Sequence, residues 1–181
     1  FNPSSDLTLS PQINSKVSPF LNGHYRQRFR TGAIDVRAGL TYDRDFDGRG
    51  NAFGDPTLRS YILASGAFAL TPEWKWGFSA ERTSDDLLFE KYDIGEVYVA
   101  RGPFVPDDRR LISQVYATRQ TARSWFSAGA FSIQGLRPED DDRTFPQVGP
   151  FVEGRFEPVG ELVGGRLRVR TSGVVLTRDA A

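Results

Sequence analysis

The chain has 181 residues, enough for one domain or one large piece of a bigger one. Its 23 Lys and Arg balance 23 Asp and Glu, so net charge gives no pull toward nucleic acid or an anionic surface, and with no Cys neither a disulfide framework nor a thiolate metal site is available. No apolar run approaches the roughly 18 residues of a membrane helix, which excludes helical spans and leaves barrels open.

Met is absent as well, so Phe1 is expected to follow a removed or missing segment, making the chain a mature piece or an excised fragment. Aromatics at 13%, 18 glycines and a mean hydropathy of -0.42 suit alternating strands better than helices. The first candidate strand, around Asp6-Leu7-Thr8-Leu9, is flanked by Pro3 and Pro11. A proline removes a ladder donor, so this strand is expected at an edge or a weakened seam. The second sets Leu21, Gly23, Tyr25 and Phe29 against Asn22, His24, Arg26, Arg28 and Arg30. In the third, Ile34, Val36, Ala38, Leu40 and Tyr42 oppose Asp35, Arg37, Gly39, Thr41 and Asp43. The fourth, Tyr61 to Leu70, opposes an apolar face to one of small residues, and the fifth puts Trp74, Trp76 and Phe78 on one parity. Because successive strand side chains point to opposite faces, each segment has one dry wall and one wet wall.

Ser84 to Lys91 opens acidic but is about two turns long, at most a short loop helix. Leu111 to Gln120 and Gln147 to Glu157 alternate poorly. The last strand sets Leu167, Val169, Thr171, Gly173 and Val175 against Arg166, Arg168, Arg170 and Ser172. Rows of arginine do not pack into a protein core. Short joints fall at Thr31-Gly32, Thr71-Pro72, Thr121-Ala122 and Val159 to Gly164, with longer ones at Asn14 to Pro19, Arg44 to Leu58, Ser84 to Arg109 and Gly135 to Pro146. This alternation is that of an outer-membrane barrel. The expected fold is therefore all-β: an up-and-down antiparallel meander of about nine strands, an incomplete segment of a large transmembrane β-barrel spanning residues 1–181. The rivals are a soluble β-sandwich or carbohydrate-binding β-sheet module and a generic porin.

Asp43-Arg44-Asp45-Phe46-Asp47-Gly48 opens like a calcium loop, but its twelfth position is Gly54 in place of the bidentate Glu. It reads as a solvated loop, as does Pro138-Glu139-Asp140-Asp141-Asp142. His24 is the only histidine and has no nucleophile motif beside it. No metal, cofactor or enzyme chemistry is expected.

The opening Asn2 to Pro11, then Arg110-Leu111-Ile112-Ser113-Gln114-Val115-Tyr116, Gln134-Gly135-Leu136-Arg137-Pro138-Glu139-Asp140 and Phe145-Pro146-Gln147-Val148-Gly149-Pro150 resemble, in order, the barrel domain of the LPS-assembly outer-membrane LptD (organic-solvent-tolerance) family, in an alphaproteobacterial style. The resemblance implies the first strands of a very large barrel in the Gram-negative outer membrane, with a periplasmic jelly-roll and closing strands outside this piece. It further implies lipopolysaccharide as cargo, a plug lipoprotein of the LptE type in the lumen and delivery by a periplasmic bridge through the jelly-roll. Lateral release would occur at a seam marked by Pro3 and Pro11. In this frame Ile34, Val36, Leu40, Tyr42, Trp74, Trp76 and Phe78 are expected to face lipid, and His24, Arg26, Arg28, Arg37, Arg166, Arg168 and Arg170 a wet lumen. Disulfides known in some members cannot form here.

Overall fold

The computed structural model describes residues 4–15, 17–47, 49–105, 109–160 and 164–178. Nine strands follow one another among them: β1 (Ser5–Gln12), β2 (Phe20–Phe29), β3 (Gly32–Phe46), β4 (Ala52–Ala69), β5 (Trp74–Thr83), β6 (Arg110–Gln120), β7 (Ser124–Gly135), β8 (Gln147–Phe156) and β9 (Val169–Thr177). Each pairs antiparallel with its sequence neighbours in a single sheet ordered β1 to β9, the up-and-down meander expected from the alternation. β1 and β9 have one neighbour each, so the sheet is open along two edges.

Residues directly opposite on antiparallel strands share a face, and the register carries the parity across the sheet. Ile34, Gly66, Phe78, Val115 and Ala130 form one row. Phe29, Gly32, Phe68 and Trp76 form another. These rows lie on an apolar face with Leu7, Leu9, Leu21, Val36, Leu40, Tyr42 and Leu58, whose larger side chains are mostly exposed. From Gly32 to Tyr42 this face has no charged residue on β3. That span is roughly 33 Å along the strand, or about 25 Å for a strand tilted near 40°.

The turns at the short-joint end are built by threonine. Thr71 Oγ1 accepts from the Glu73 and Trp74 N–H groups at 3.3 and 3.1 Å, and Thr121 Oγ1 from those of Arg123 and Ser124 at 3.3 and 3.0 Å. Beside these turns the apolar face carries a run of rings: Phe29 to Phe68 at 5.8 Å, Phe68 to Trp76 at 4.8 Å, and Trp74 to Phe126 at 6.2 Å between centroids. Gly66 makes room for a further ring on this face, since a Cβ there would lie 2.5 Å from the Phe78 ring.

Two segments depart from the sequence expectation. The stretch 44–58, expected as a long loop, is mostly strand: β3 runs to Phe46 and β4 starts at Ala52. Between them Asp47 accepts from the backbone N–H groups of Arg49 and Asn51 at 2.9 and 2.8 Å. The calcium-like carboxylates are thus used separately, Asp43 taking the Tyr92 hydroxyl and Asp47 these N–H groups. The last strand begins at Val169, so Arg166 and Arg168 precede it, and Arg168 Nε pairs with Glu157 at 2.6 Å. The poorly alternating segments are β6 and β8. β6 leaves β5 beyond Gln114, and β8 has a register shift between Val148 and Phe151.

The buried core is not on the apolar face. It lies on the opposite, polar face at the long-loop end, where Phe20, Tyr61 and Leu63 of the wall meet Leu88, Phe89, Tyr92 and Val97 of the β5–β6 connection. Gly39 permits this closeness, because a Cβ there would lie 2.3 Å from Phe20 and 2.6 Å from Tyr61. The acidic segment after β5 supplies one helical turn, α1 (Leu88–Lys91). The polar face is therefore divided into a half roofed by this connection and an open half, which corrects the expectation of one uniformly wet wall.

Candidate functional site

The β5–β6 connection lies across the polar face like a strap. At one end the Gln12 side-chain amide on β1 donates to the Tyr92 carbonyl at 2.9 Å, and the Tyr92 hydroxyl donates to Asp43 Oδ2 at 2.7 Å. Burial, then that bond to Asp43, pushes the Tyr92 phenol up to about 12. In the middle, Arg101 Nη1 meets Glu81 Oε1 at 3.3 Å and donates to the Val97 carbonyl at 2.9 Å, while Glu96 pairs with Arg37. At the far end Gln114 holds both backbone groups of Phe104, at 2.8 and 3.1 Å, and the Phe104 ring sits against Phe131 and Phe151 at 4.9 and 4.8 Å.

Side chains of the strands themselves close the gap where β6 leaves β5. Glu81 Oε2 accepts the Ile112 N–H at 2.9 Å, and the Ser113 hydroxyl exchanges bonds with the Glu81 N–H and carbonyl, each at 3.0 Å. Gln134 does the same for Thr83, at 3.1 and 2.9 Å. Side chains here replace a missing backbone ladder, since buried peptide groups must be paired. Sequence reasoning missed Glu81, Arg101, Gln114 and Gln134. The one available signal was a Glu closing an aromatic strand on its polar parity, and nothing local encodes a partner twenty residues further on.

Of the residues expected to line a lumen, His24, Arg26, Arg28, Arg37 and Arg170 share the polar face, whereas Arg166 and Arg168 lie outside the strands. The cations do not form a bare positive row. His24 Nε2 lies 2.9 and 3.0 Å from the two Asp35 carboxylate oxygens, Arg26 pairs with Asp6, Arg37 with Glu96, and Arg170 with Glu153 at 3.7 Å. Ile34, Val36, Leu40, Tyr42, Trp74, Trp76 and Phe78, expected to meet lipid, all fall on the opposite face.

Pro3 lies outside the described residues. Pro11 sits in β1 opposite Leu21. The Arg28 N–H donates to the Ser4 carbonyl at 2.7 Å, which makes Ser4 and Arg28 a hydrogen-bonded pair. In an antiparallel ladder such pairs alternate, so even-numbered residues of β1 bond to β2 and odd-numbered ones turn N–H and C=O to the free edge. The donor that Pro11 lacks therefore belongs to the open edge, not to the β1–β2 ladder.

Where the long loops meet, Asp86 is held above the usual carboxylate range by burial and by Asp142, Asp85 and Asp140 nearby. Asp141 is held below it by hydrogen bonds from the Arg143 side chain and backbone.

A one-layer antiparallel meander, with its apolar side chains exposed on one face and a connection folded onto the other, has the construction of a β-barrel wall. The sequence model of LptD, LPS transport system D, matches residues 57–171, more than half of the chain, and the chain belongs to this family. The family serves lipopolysaccharide transport in the outer membrane of Gram-negative bacteria. No curated protein matches the sequence.

Proposed function

We propose that this chain supplies the opening strands of a lipopolysaccharide translocon, a non-enzymatic barrel in which the apolar face of Trp74, Trp76 and Phe78 meets lipid and the polar face lines the lumen. The observation that carries this reading is the separation of faces. Large apolar side chains stay exposed over a band about 25 Å tall, while the buried core forms on the other side. In water such a face is a liability, and in hydrocarbon it is satisfied.

The free edge of β1, short of one donor at Pro11, is the natural side of a lateral seam, since unmade hydrogen bonds lower the cost of parting two strands. Closing strands, a plug lipoprotein of the LptE type and a periplasmic jelly-roll receiving lipopolysaccharide from the bridge complete the assembly. A photo-crosslinker placed at Leu9 on β1 of the full-length protein tests the reading in cells. An adduct with lipopolysaccharide is expected. Its absence in a folded, membrane-inserted protein would overturn the seam.

A further inference from the structure

We infer that the polar face beside β1 holds a binding site for the neutral sugar rings of a saccharide. The inference rests on the translocon reading for its setting but on separate groups for its chemistry. Between β1, β2 and residues 93–96 of the strap lies a cavity of about 360 Å³, bordered by Thr8, Ser10, Asn22, His24, Arg37 and Tyr61. Its size suits a mono- or disaccharide and is far too small for a whole glycolipid.

The cations around it are spent, and the Asp93 carboxylate on its border adds negative charge. His24 faces the Asp35 carboxylate, and Arg37 pairs with Glu96 from the strap. A phosphate entering here would have to displace a carboxylate from Arg37 and would meet the charge of Glu96 and Asp35. The neutral groups are the available ones. Asn22 Oδ1 accepts the Tyr61 hydroxyl at 2.8 Å, which leaves the Asn22 amide N–H groups as donors. The Thr8 and Ser10 hydroxyls, two residues apart on one face of β1, make no hydrogen bond among the described residues. Hydroxyls and a carboxamide, each able to donate or accept, match a polyol, whereas anion recognition needs uncompensated cations. One wall of this cavity is the strand at the seam and another is the strap, so a sugar bound here touches both.

The test uses the full-length protein folded in detergent, with maltose and inorganic phosphate as probes read by saturation-transfer NMR. Maltose is expected to bind saturably and phosphate not to compete. The double variant Thr8→Val, Ser10→Ala changes two exposed side chains outside the core and is expected to weaken maltose binding about fivefold, near the effect of one lost neutral hydrogen bond. A parallel arm measures whether intact lipopolysaccharide or only its free core oligosaccharide displaces maltose, which separates a glycolipid headgroup from a soluble sugar. No saturable maltose binding, binding unchanged in the double variant, or displacement by phosphate would each overturn the site. Those outcomes leave a Leu9 adduct untouched, and a missing adduct leaves maltose binding untouched, so the two readings fail separately.

Discussion

Gln12, on one of the two edge strands, donates its side-chain amide to the carbonyl of Tyr92 at 2.9 Å, so β1 is held from the β5–β6 strap as well as by β2. An edge strand has backbone bonds on one side only, and this contact adds a restraint from above its polar face. Replacing Gln12 by Ala removes that bond and is expected to loosen β1 by about 1 kcal/mol. Amide exchange should quicken in β1 and in residues 91–94, with β6 to β8 unchanged. Equal exchange in both segments would show that the strap does not hold the edge.

Glu81 and Arg101 form a pair whose side chains are 3% and 9% exposed, and Glu81 also takes the Ile112 N–H. Truncating one partner of such a pair leaves the other charge buried without compensation, a loss of about 3–5 kcal/mol. Glu81→Ala is expected to detach the middle of the strap and unpair the start of β6, whereas Glu81→Gln keeps a hydrogen-bonding group and costs less. Limited trypsin cleavage after Arg101 measures both. Slow cleavage in Glu81→Ala would mean that the Phe104 anchor suffices alone.

The Tyr92 phenol is raised from 10.0 to about 12. A group raised in the folded state stabilises it fully below the unfolded value and loses that contribution as pH climbs through the folded one. Release of the strap from Asp43 is therefore expected between pH 10 and about 12 and not in the neutral range. Ultraviolet phenolate titration of wild type against Tyr92→Phe isolates this residue. A Tyr92 phenolate forming at ordinary tyrosine pH would refute the buried hydrogen bond.

The meander was legible wherever the two faces differ in polarity. Ile34 to Tyr42 and Trp74 to Phe78 alternate because one side is apolar and the other is not, and period two survives that contrast. It was lost where both sides are wet, so Arg44 to Phe46 and Ala52 to Leu58 looked like loop although they continue β3 and β4. It was lost again where both sides are dry or bridged, as at Leu111 and Ile112, both buried where β6 leaves β5. Thr71 and Thr121 announced their turns locally. The strap did not announce itself, since Leu88, Phe89 and Tyr92 gain meaning only from Phe20 and Tyr61, which are far away in the chain. The arginine row was visible, but its carboxylate partners Asp6, Asp35, Glu96 and Glu153 lie on other elements, and so its charge was overestimated.

Val36 stands near the middle of the apolar band on β3, opposite Tyr25 and Ala64. Arginine at the midplane of a lipid-facing strand costs roughly 2–4 kcal/mol. Val36→Arg is expected to lose that much in folding into vesicles from urea, and Thr8→Arg, on the polar face, far less. If the face met water, as in a soluble sugar-binding module, Val36→Arg would stay within about 0.5 kcal/mol, the usual size of a surface substitution.

Pro11→Ala returns one N–H to β1, and the position of that N–H makes a sharp distinction. Odd-numbered residues of β1 direct their backbone groups away from β2, as the Ser4–Arg28 bond implies. Exchange protection along β2 is therefore expected to stay at the wild-type level. The new donor instead becomes available to any strand that pairs with the free edge, adding about 0.5–1.5 kcal/mol to such a contact. In the full-length protein this should slow the appearance of lipopolysaccharide at the cell surface, measured by pulse labelling. Increased protection of β2 would place the missing donor on the wrong side of the strand. Unchanged export with unchanged β2 protection would show that the edge at Pro11 is not where the wall parts.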